Sequence, residues 1–390
     1  MQITNNASSR GSAWQNWAKE NLFSSPFNTV LTLLTGLFVA WVTVSLGIWA
    51  FSQARWNVVP VNFRILMTGP FPTEQLWRTW LMLIVVCLMS GLHWGSLAKG
   101  SKLPVWALIT AGVIAVFAGL TQIGHPSGVL VPIAVLAVLA GYLIGQIVIP
   151  SRVMNIAWVV IFFVAVLVFT LDFGTGAVES NKWGGLLLTM MLSIVGIVAS
   201  FPLGVALAVG RTSNYPIISA ICTVFIELVR GTPLIVVFFI AQLFVPLLLG
   251  GANIDPVVRA MVGISVFSAA YLAENIRGGL QSLPQGQIEA ARAVGLNGTQ
   301  TLLLIVLPQA LKAVLPALVG QFIGLFKDTS LVSIIGLKEL TGVADSIRNN
   351  PDFIGTAKEL FFIISVIYFI FSYAISSGAR NLEKKLNTNR

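Results

Sequence analysis

Long uncharged apolar runs alternate with short polar segments along most of this 390-residue chain. A helix that crosses a hydrocarbon core about 30 Å thick needs about 20 apolar residues, because each residue advances the helix by about 1.5 Å. Ten runs approach or exceed this length and predict transmembrane helices at about 30–51, 79–98, 103–123, 128–149, 153–171, 183–209, 216–249, 257–276, 310–326 and 360–379. The pattern therefore predicts an all-α, polytopic transmembrane helical bundle of about ten spans.

The composition agrees with a membrane protein, since 56% of the residues are hydrophobic and only 9% are charged, against about 25% charged residues in soluble proteins. The polar residues 1–29 precede an apolar run that is too long for the core of a signal peptide and lacks a small-residue cleavage site. We expect a short cytoplasmic segment and an uncleaved first span. Cys87 and Cys222 lie in apolar runs, where packing is a better explanation than a disulfide or a metal site.

The net charge of +9 is spread over single Lys and Arg residues in the loops, without a basic stripe that contains aromatic residues. This distribution argues against nucleic-acid binding and favours a role in membrane topology. With the N-terminus inside, the basic residues of the cytoplasmic loops and tail are Lys99, Lys102, Arg152, Arg211, Arg277, Arg292, Arg380, Lys384, Lys385 and Arg390. Arg55, Arg64 and Arg78, in the first outer loop, depart from the rule. We expect both termini to lie in the cytoplasm.

The polar stretch "LDFGTGAVESNKWGG" separates two halves of different character. The first five predicted spans carry almost no charge, whereas the last five contain several charged residues. The contrast predicts an N-terminal extension of about five transmembrane helices at 30–180 and a second unit at 181–390.

Two charged residues precede a predicted break in the seventh span. In "FIELVRGTPLIVVFF", Glu227 and Arg230 are three residues apart, which places them on one face of a helix. Gly231 and Pro233 follow at once and weaken the helix. Broken membrane helices often present polar groups to a transported solute, but a structural ion pair beside a kink explains the pattern equally well.

A second pair, Glu274 and Arg277, has the same spacing in "SAAYLAENIRGG", near the cytoplasmic end of its span. A long Arg side chain near the end of a span extends readily to the interface, so Arg277 needs no further explanation. Charged residues inside spans usually face a partner or a water-filled path. Glu274 is therefore the more informative residue.

Four adjacent polar residues, Lys327, Asp328, Thr329 and Ser330, lie at the outer end of the following span. Their side chains could bind the carboxylate and the amine of a zwitterion. Alternatively, Asp328 or Thr329 caps the short apolar helix that follows. Capping is favoured for any single residue.

The polar insert "EAARAVGLNGTQTLLLIVLP", residues 289–308, lies between two spans. Pro284 suits a first helical turn, Gly295 suits a helix stop, and Asn297 or Thr299 can cap the next helix. These signals predict a cytoplasmic helix-turn-helix elbow whose first arm is too short and too polar to enter lipid.

The first arm of the elbow carries little side-chain bulk. Ala290, Ala291 and Ala293 would let another protein approach the backbone closely, while Glu289 and Arg292 supply polar contacts. A solvated linker helix is the alternative, and the helix signals alone favour it slightly.

The spacing within the elbow resembles a known family. It is similar to the EAA loop of membrane subunits of binding-protein-dependent ABC importers at Glu289, Ala290, Ala291, Gly295, Ile305, Leu307 and Pro308. The stretches "ELVRGTPL", "LPQALKAVLPAL" and "LFKDTSLVSIIGLKELTG" resemble the amino-acid subfamily of these permeases over about residues 183–385. The segment "NLFSSPFNTVLTLL" and the extra spans after it resemble the M-type membrane subunit of the general L-amino acid transporter.

The resemblance implies a multi-pass protein of the bacterial inner membrane with a type I ABC importer permease core of five spans at 181–390 and a cytoplasmic EAA coupling loop at 284–308. It implies a second permease subunit, usually in a heterodimer, two ATP-binding subunits, and a periplasmic binding protein that delivers an L-amino acid. The fixed positions of the loop would contact or shape the contact with the ATPase. The residues implied along the substrate pathway are Glu227, Arg230, Glu274, Asp328, Thr329 and Ser330.

The chain contains no GxxxxGK[ST] phosphate loop and no HExxH pair, and its histidines, His93 and His125, are far apart in the less charged half. We therefore expect a transport subunit that is not an enzyme, binds no cofactor and relies on ATP-Mg bound by a partner. A secondary amino-acid transporter is the main alternative, since broken helices with buried charges occur there too. A membrane-embedded enzyme is a weaker alternative.

The stretch "FFIAQLFVPLLLGG", after the first broken helix, departs from the aromatic and glycine-rich ending of many relatives and resembles the M-type subunit.

Overall fold

The computed structural model of the protein describes residues 8–97, 127–147, 151–173, 176–251 and 253–387. No strand occurs in these ranges, and the predicted all-α class is confirmed. The helices of the first half are α1 (Ser8–Asn21), α2 (Pro26–Ile48), α3 (Val58–Thr68), α4 (Leu76–Leu97), α5 (Ser127–Ile147) and α6 (Ser151–Thr170). Those of the second half are α7 (Gly185–Arg211), α8 (Pro216–Arg230), α9 (Leu234–Phe239), α10 (Val245–Leu248), α11 (Pro256–Gln281), α12 (Gln285–Ala293), α13 (Gly298–Gln300), α14 (Leu307–Asp328), α15 (Leu340–Arg348) and α16 (Ala357–Asn387).

Within the described ranges, seven helices are long and apolar enough to cross a membrane, or eight if the bent pair Pro216–Arg230 and Leu234–Leu248 forms one span. Nine of the predicted spans coincide with these helices or with α6, whose apolar part is shorter. The predicted span at 103–123 lies outside the described residues. The hydropathy pattern does not predict α3 and α15, because neither contains an apolar run long enough to cross a bilayer.

Four glycines allow α4 and α5 to pack backbone against backbone. A Cβ atom added to Gly91 or Gly95 would lie 2.1 Å from a carbonyl oxygen of α5, and one added to Gly141 or Gly145 would lie 2.2 Å from a carbonyl oxygen of α4. Both helices carry the spacing Gly-xxx-Gly, which brings membrane helices close together through van der Waals contact. The crossing therefore depends on the absence of side chains on both sides.

The two halves of the chain share an apolar core. Val58 and Leu66 of α3 pack with Leu340 of α15 and Leu360 of α16, and all four are fully or almost fully buried. At the start of α7, Gly185 adopts a φ of 56°, and a Cβ atom there would lie 2.3 Å from the carbonyl oxygen of Leu66. The first half thus packs closely on the second; the division at residue 180 stays a prediction.

Arg78, which departs from the charge rule, has a structural role. Its guanidinium is fully buried and donates to the carbonyl groups of Val168 (2.9 Å) and Leu171 (2.7 Å) at the C-terminal end of α6, and to Gly176 (2.9 Å). The last carbonyl groups of a helix lack partners within the helix and favour a cation. These contacts give Arg78 a structural role that does not depend on any effect on topology.

Candidate functional site

The predicted elbow is present and is capped on both sides of its turn. Gly295 has a φ of 87° and its N–H donates to the Arg292 carbonyl at 3.0 Å, while the Leu296 N–H donates to the Ala291 carbonyl at 3.1 Å. These two bonds form a Schellman motif, which ends a helix at a left-handed glycine. The turn that follows α12 is consequently fixed by main-chain hydrogen bonds.

The second arm begins with a capping box. The Gln300 N–H donates to Oδ1 of Asn297 at 2.9 Å, and the Asn297 N–H donates to Oε1 of Gln300 at 3.0 Å. Asn297, one of the two residues predicted for this position, is therefore the cap, and Thr299 is not. Pro284, predicted for the first helical turn, immediately precedes α12.

The surface of the elbow is mostly open. Glu289, Ala290, Arg292 and Gly295 are exposed, and Val294 shows 77% of its surface. Ala291 is the exception because it is 5% exposed and packs within the chain. Ala291 therefore shapes the elbow from within, and the exposed residues form the surface available to another protein.

The elbow continues into α14 through a wider helical turn. Residues Thr301–Val306 form a π-helical stretch in which Ile305 lies, and the N–H of Leu307 bonds back to the Leu302 carbonyl. Pro308 follows in the first turn of α14, where its missing N–H disturbs the bonding least. At the same level a Cβ atom on Gly279 of α11 would lie 2.7 Å from a carbonyl oxygen of α14. Both arms are thus joined to tightly packed helices, and we call this end of the bundle the elbow end.

Five charged residues meet at the elbow end and form what we call the charged cluster: Arg211, Glu227, Arg230, Glu274 and Arg277. Glu274 accepts hydrogen bonds from Arg277 and, at 3.1 Å, from Arg211, and it lies 3.9 Å from Arg230. Arg211 also contacts Glu227 at 2.8 Å. The cluster therefore links α7, α8 and α11.

The sequence predicts some of these residues but not their partners. Glu227 and Arg230 share a helix face, yet Glu227 pairs with Arg211 and Arg230 approaches Glu274. Arg211 and Arg277, which the sequence explains by topology or by extension to the interface, both bind Glu274. Arg211 and Glu274 are 63 residues apart, so local spacing carries no signal of this contact.

The predicted break in the helix after Arg230 is confirmed. Between α8 and α9 the chain bends by 105° at residues 231–233. The Arg230 guanidinium lies 5.6 Å from the centre of the Tyr271 ring, and the Tyr271 hydroxyl donates to the Arg230 carbonyl at 3.3 Å. A cation over an aromatic face is attracted by the ring's electrons, so Tyr271 holds the last turn of α8 against α11.

The predicted pathway residues do not form one group. Asp328 ends α14, whose first residue, Leu307, is at the elbow end, so this helix of 22 residues separates the two by about 30 Å at about 1.5 Å per residue. Asp328 makes no side-chain capping bond to the following turn, and Thr329 is buried and donates back to the Phe326 carbonyl. Asp328 therefore occupies the predicted N-cap position without a side-chain capping bond, and Thr329 is not the cap. With Lys327 and residues of α16, Ser330 lines a cleft of about 390 Å³.

Glu339 is a buried acid that the sequence gives no reason to single out. Its Oε1 accepts from the N–H groups of Thr341 (2.8 Å) and Gly342 (3.0 Å) at the start of α15, and its Oε2 accepts from Tyr368 (3.0 Å) and Thr189 (3.3 Å). Burial raises the pKa of this carboxyl group above its usual range, and the hydrogen bonds oppose that rise. The residue ties α7, α15 and α16 together.

Comparison with known proteins covers nearly the whole chain. Residues 200–388 match the family described as binding-protein-dependent transport system inner membrane component. The inner membrane amino-acid ABC transporter permease protein YhdY of Escherichia coli (strain K12) is 34% identical over 96% of this chain and 93% of that protein. The glutamate/glutamine/aspartate/asparagine transport system permease protein BztC of Rhodobacter capsulatus is 34% identical over 95% and 93%.

Among solved structures, an amino acid ABC transporter crystallised with histidines is 31% identical over 51% of this chain and 90% of the other, with a TM-score of 0.46. Both full-length relatives are transport permeases and not enzymes, and YhdY is a permease of an ABC transporter, which disfavours the secondary transporter. Their alignment includes the N-terminal extension as well as the elbow. The chain therefore belongs to the binding-protein-dependent transport system inner membrane components, as a multi-pass permease subunit of an amino-acid ABC importer in the inner membrane.

Proposed function

We propose that this chain carries L-amino acids from the periplasm to the cytoplasm and is driven by ATP that separate subunits hydrolyse. The elbow is the observation that carries the proposal. Glu289 and Ala290 are exposed at the end of the bundle, on a short helix that ends in a Schellman motif and is followed at once by the capping box of the second arm. A surface of this kind suits docking of an ATPase.

The elbow is built to transmit movement. It is bonded through its turns and joined directly to α11 and α14, and these two helices pack closely at Gly279. A displacement of a docked ATPase would move them as a rigid body, which is a common mode of switching between packed states. In this role Glu289 and Ala290 contact the ATPase, Ala291 and Gly295 set the shape of the elbow, and Ile305, Leu307 and Pro308 join it to α14.

The assembly contains a second permease subunit, in a heterodimer, together with two ATP-binding subunits and a periplasmic amino-acid-binding protein. ATP-Mg is bound by the ATPase subunits, and this chain holds no cofactor. Both termini lie in the cytoplasm, on the same side as the elbow. The support for this arrangement is the basic tail and the family of the chain.

The two groups of pathway residues act at different depths. Asp328, Thr329 and Ser330 lie toward the periplasm, beside a cleft with several hydroxyl groups that suits a zwitterion. The charged cluster, with Glu227, Arg230 and Glu274, closes the cytoplasmic end, where its ion pairs hold α8 across α7 and α11.

The test is uptake of radiolabelled L-amino acids into proteoliposomes that hold this chain with its ATPase, its second permease and its binding protein. Glu289→Lys should insert and assemble with the second permease but lose uptake and bind the ATPase weakly, because it reverses the charge on the docking face. Glu179→Lys is the matched control, since it makes the same change at an exposed site away from the elbow.

Normal ATP-driven uptake by Glu289→Lys would remove the coupling role from the elbow. Uptake by the wild type that continues without ATP and follows an ion gradient would instead favour the secondary transporter.

A further inference from the structure

A further arginine inside a span lies outside the charged cluster and is not one of the predicted pathway residues. Arg259 is the fourth residue of α11, at the end of the bundle opposite the elbow. One of its terminal nitrogens donates to the main-chain carbonyl of Gln242, in the π-helical stretch Ile240–Phe244. In an α-helix that carbonyl would accept from residue 246, but Pro246 has no N–H. Arg259 thus donates to a carbonyl whose α-helical partner is missing.

This contact uses only a part of the guanidinium. The Nε atom of Arg259 is buried and has no hydrogen-bond partner, and no described carboxylate forms an ion pair with the side chain. Asp255, one turn earlier, is occupied: it accepts from the N–H groups of Val257 and Val258 and from the Ser180 hydroxyl. A half-buried cation without a counter-charge in a membrane span is costly and usually serves a function.

Gln242 places a second polar group beside this cation. Its side-chain Nε2 donates to the Pro256 carbonyl at 2.6 Å, which anchors the amide at the start of α11. The Oε1 atom accepts no hydrogen bond from the described residues, and the side chain is partly exposed. Leu243 and Phe244 next to it are apolar. The fold therefore places a forked donor and a free acceptor on two residues that touch through the Gln242 main chain, with apolar Leu243 and Phe244 next to Gln242 in the sequence.

We propose that Arg259 and Gln242 form a recognition point for the α-carboxylate and α-ammonium groups of the transported amino acid. This inference rests on the proposed function. Arg259 binds the α-carboxylate through the N–H groups of its two terminal nitrogens that the Gln242 carbonyl leaves free, because a planar guanidinium matches a carboxylate with two parallel hydrogen bonds. The Oε1 atom of Gln242 accepts from the α-ammonium group. The point lies at the periplasmic end of α9, α10 and α11, where the solute enters.

The competing explanation is that Arg259 only replaces the missing N–H of Pro246. The variant Pro246→Ala distinguishes the two explanations, because residue 246 then has a main-chain N–H that can donate to the Gln242 carbonyl. In that variant Arg259 is no longer needed as a donor to the Gln242 carbonyl. The α-carboxylate of the amino acid still needs Arg259 as its binding partner.

The experiment measures equilibrium binding of radiolabelled L-glutamate, L-glutamine, L-leucine and L-arginine, one at a time, to the complete transporter in nanodiscs without the binding protein. Arg259→Met should bind the imported amino acid about 10- to 100-fold more weakly, the range expected when a hydrogen bond to a charged group is lost. Pro246→Ala alone should bind normally, and Pro246→Ala/Arg259→Met should remain as weak as the single variant.

Arg348→Met, which removes an exposed ion pair on α15, is the control. Gln242→Leu keeps the carbonyl that Arg259 contacts and should also weaken binding. If Arg259→Met fails to assemble, the double variant provides the test, because its Gln242 carbonyl has a main-chain donor again.

A second readout uses the carboxamide of the same amino acid as a competitor. The wild type should prefer the free acid at least tenfold, and Arg259→Met should lose this preference. Normal binding by Arg259→Met, or rescue by Pro246→Ala, would overturn the recognition point. Failure of the proposed function has a different signature, because the wild-type complex would then show no ATP-driven uptake of any of the four amino acids.

Discussion

A methyl group on Gly141 tests how closely α4 and α5 approach. Its Cβ atom would lie 2.2 Å from the carbonyl oxygen of Leu88, whereas an ordinary contact begins near 3.4 Å. The helices would have to separate by about 1 Å, which would also loosen the contacts at Gly91, Gly95 and Gly145. Overpacking a well-packed interior costs about 1–3 kcal/mol, and Gly141→Ala should therefore lower the Tm of the detergent-purified protein by several degrees.

The matched control is Gly47→Ala on α2, where nothing lies within 4 Å of the added methyl. Since Ala favours a helix more than Gly does, this variant should melt at or slightly above the wild-type temperature. Gly91→Ala should behave like Gly141→Ala. The double variant should be destabilised by less than the sum, because the first separation makes room for the second methyl. If Gly141→Ala melts like Gly47→Ala, the two helices are not in backbone contact.

Other contacts provide equally direct tests. Gly295→Ala places a side chain at a φ of 87°, at a cost of roughly 1–2 kcal/mol, so uptake should fall while Gly298→Ala, in open space, transports normally. Arg78→Met removes the side chain that donates to three carbonyl groups. The yield of folded protein should therefore drop more than for Arg64→Met, which removes one hydrogen bond. Equal yields of the two variants would contradict the structural role of Arg78. The pKa of Glu339 is raised by burial, so the unfolded chain ionises first as the pH rises above 4.5. As the pH rises above that value, the Tm of the wild type should therefore fall relative to the Tm of Glu339→Gln. Equal changes of Tm with pH in the two proteins would contradict a raised pKa for Glu339.

Local patterns predict local structure well in this chain. Apolar length locates the described spans, glycine and asparagine locate the turn and cap of the elbow, and a Gly-x-Pro sequence locates the bend after Arg230. Each of these depends on residues within one or two helical turns. The signals therefore remain visible in the sequence.

Contacts between distant segments are what the sequence does not predict. Glu339 looks like an ordinary loop acid, yet three helices surround it, and one partner, Thr189, is 150 positions away. Arg211 is explained by topology until its contacts with Glu227 and Glu274 are seen. The expected pathway residues share chemical character, but the length of α14 divides them between two ends of the bundle. Spatial grouping was beyond what residue type and spacing could indicate.

The packing of α3 limits how this permease can be shortened. The predicted division near residue 180 invites a truncated version that begins there. Such a version would strip Val58 and Leu66 from Leu340 and Leu360 and uncover the backbone at Gly185. The extra helices have become an internal support for the second half, and a minimal permease made from this chain would need new apolar side chains in place of α3.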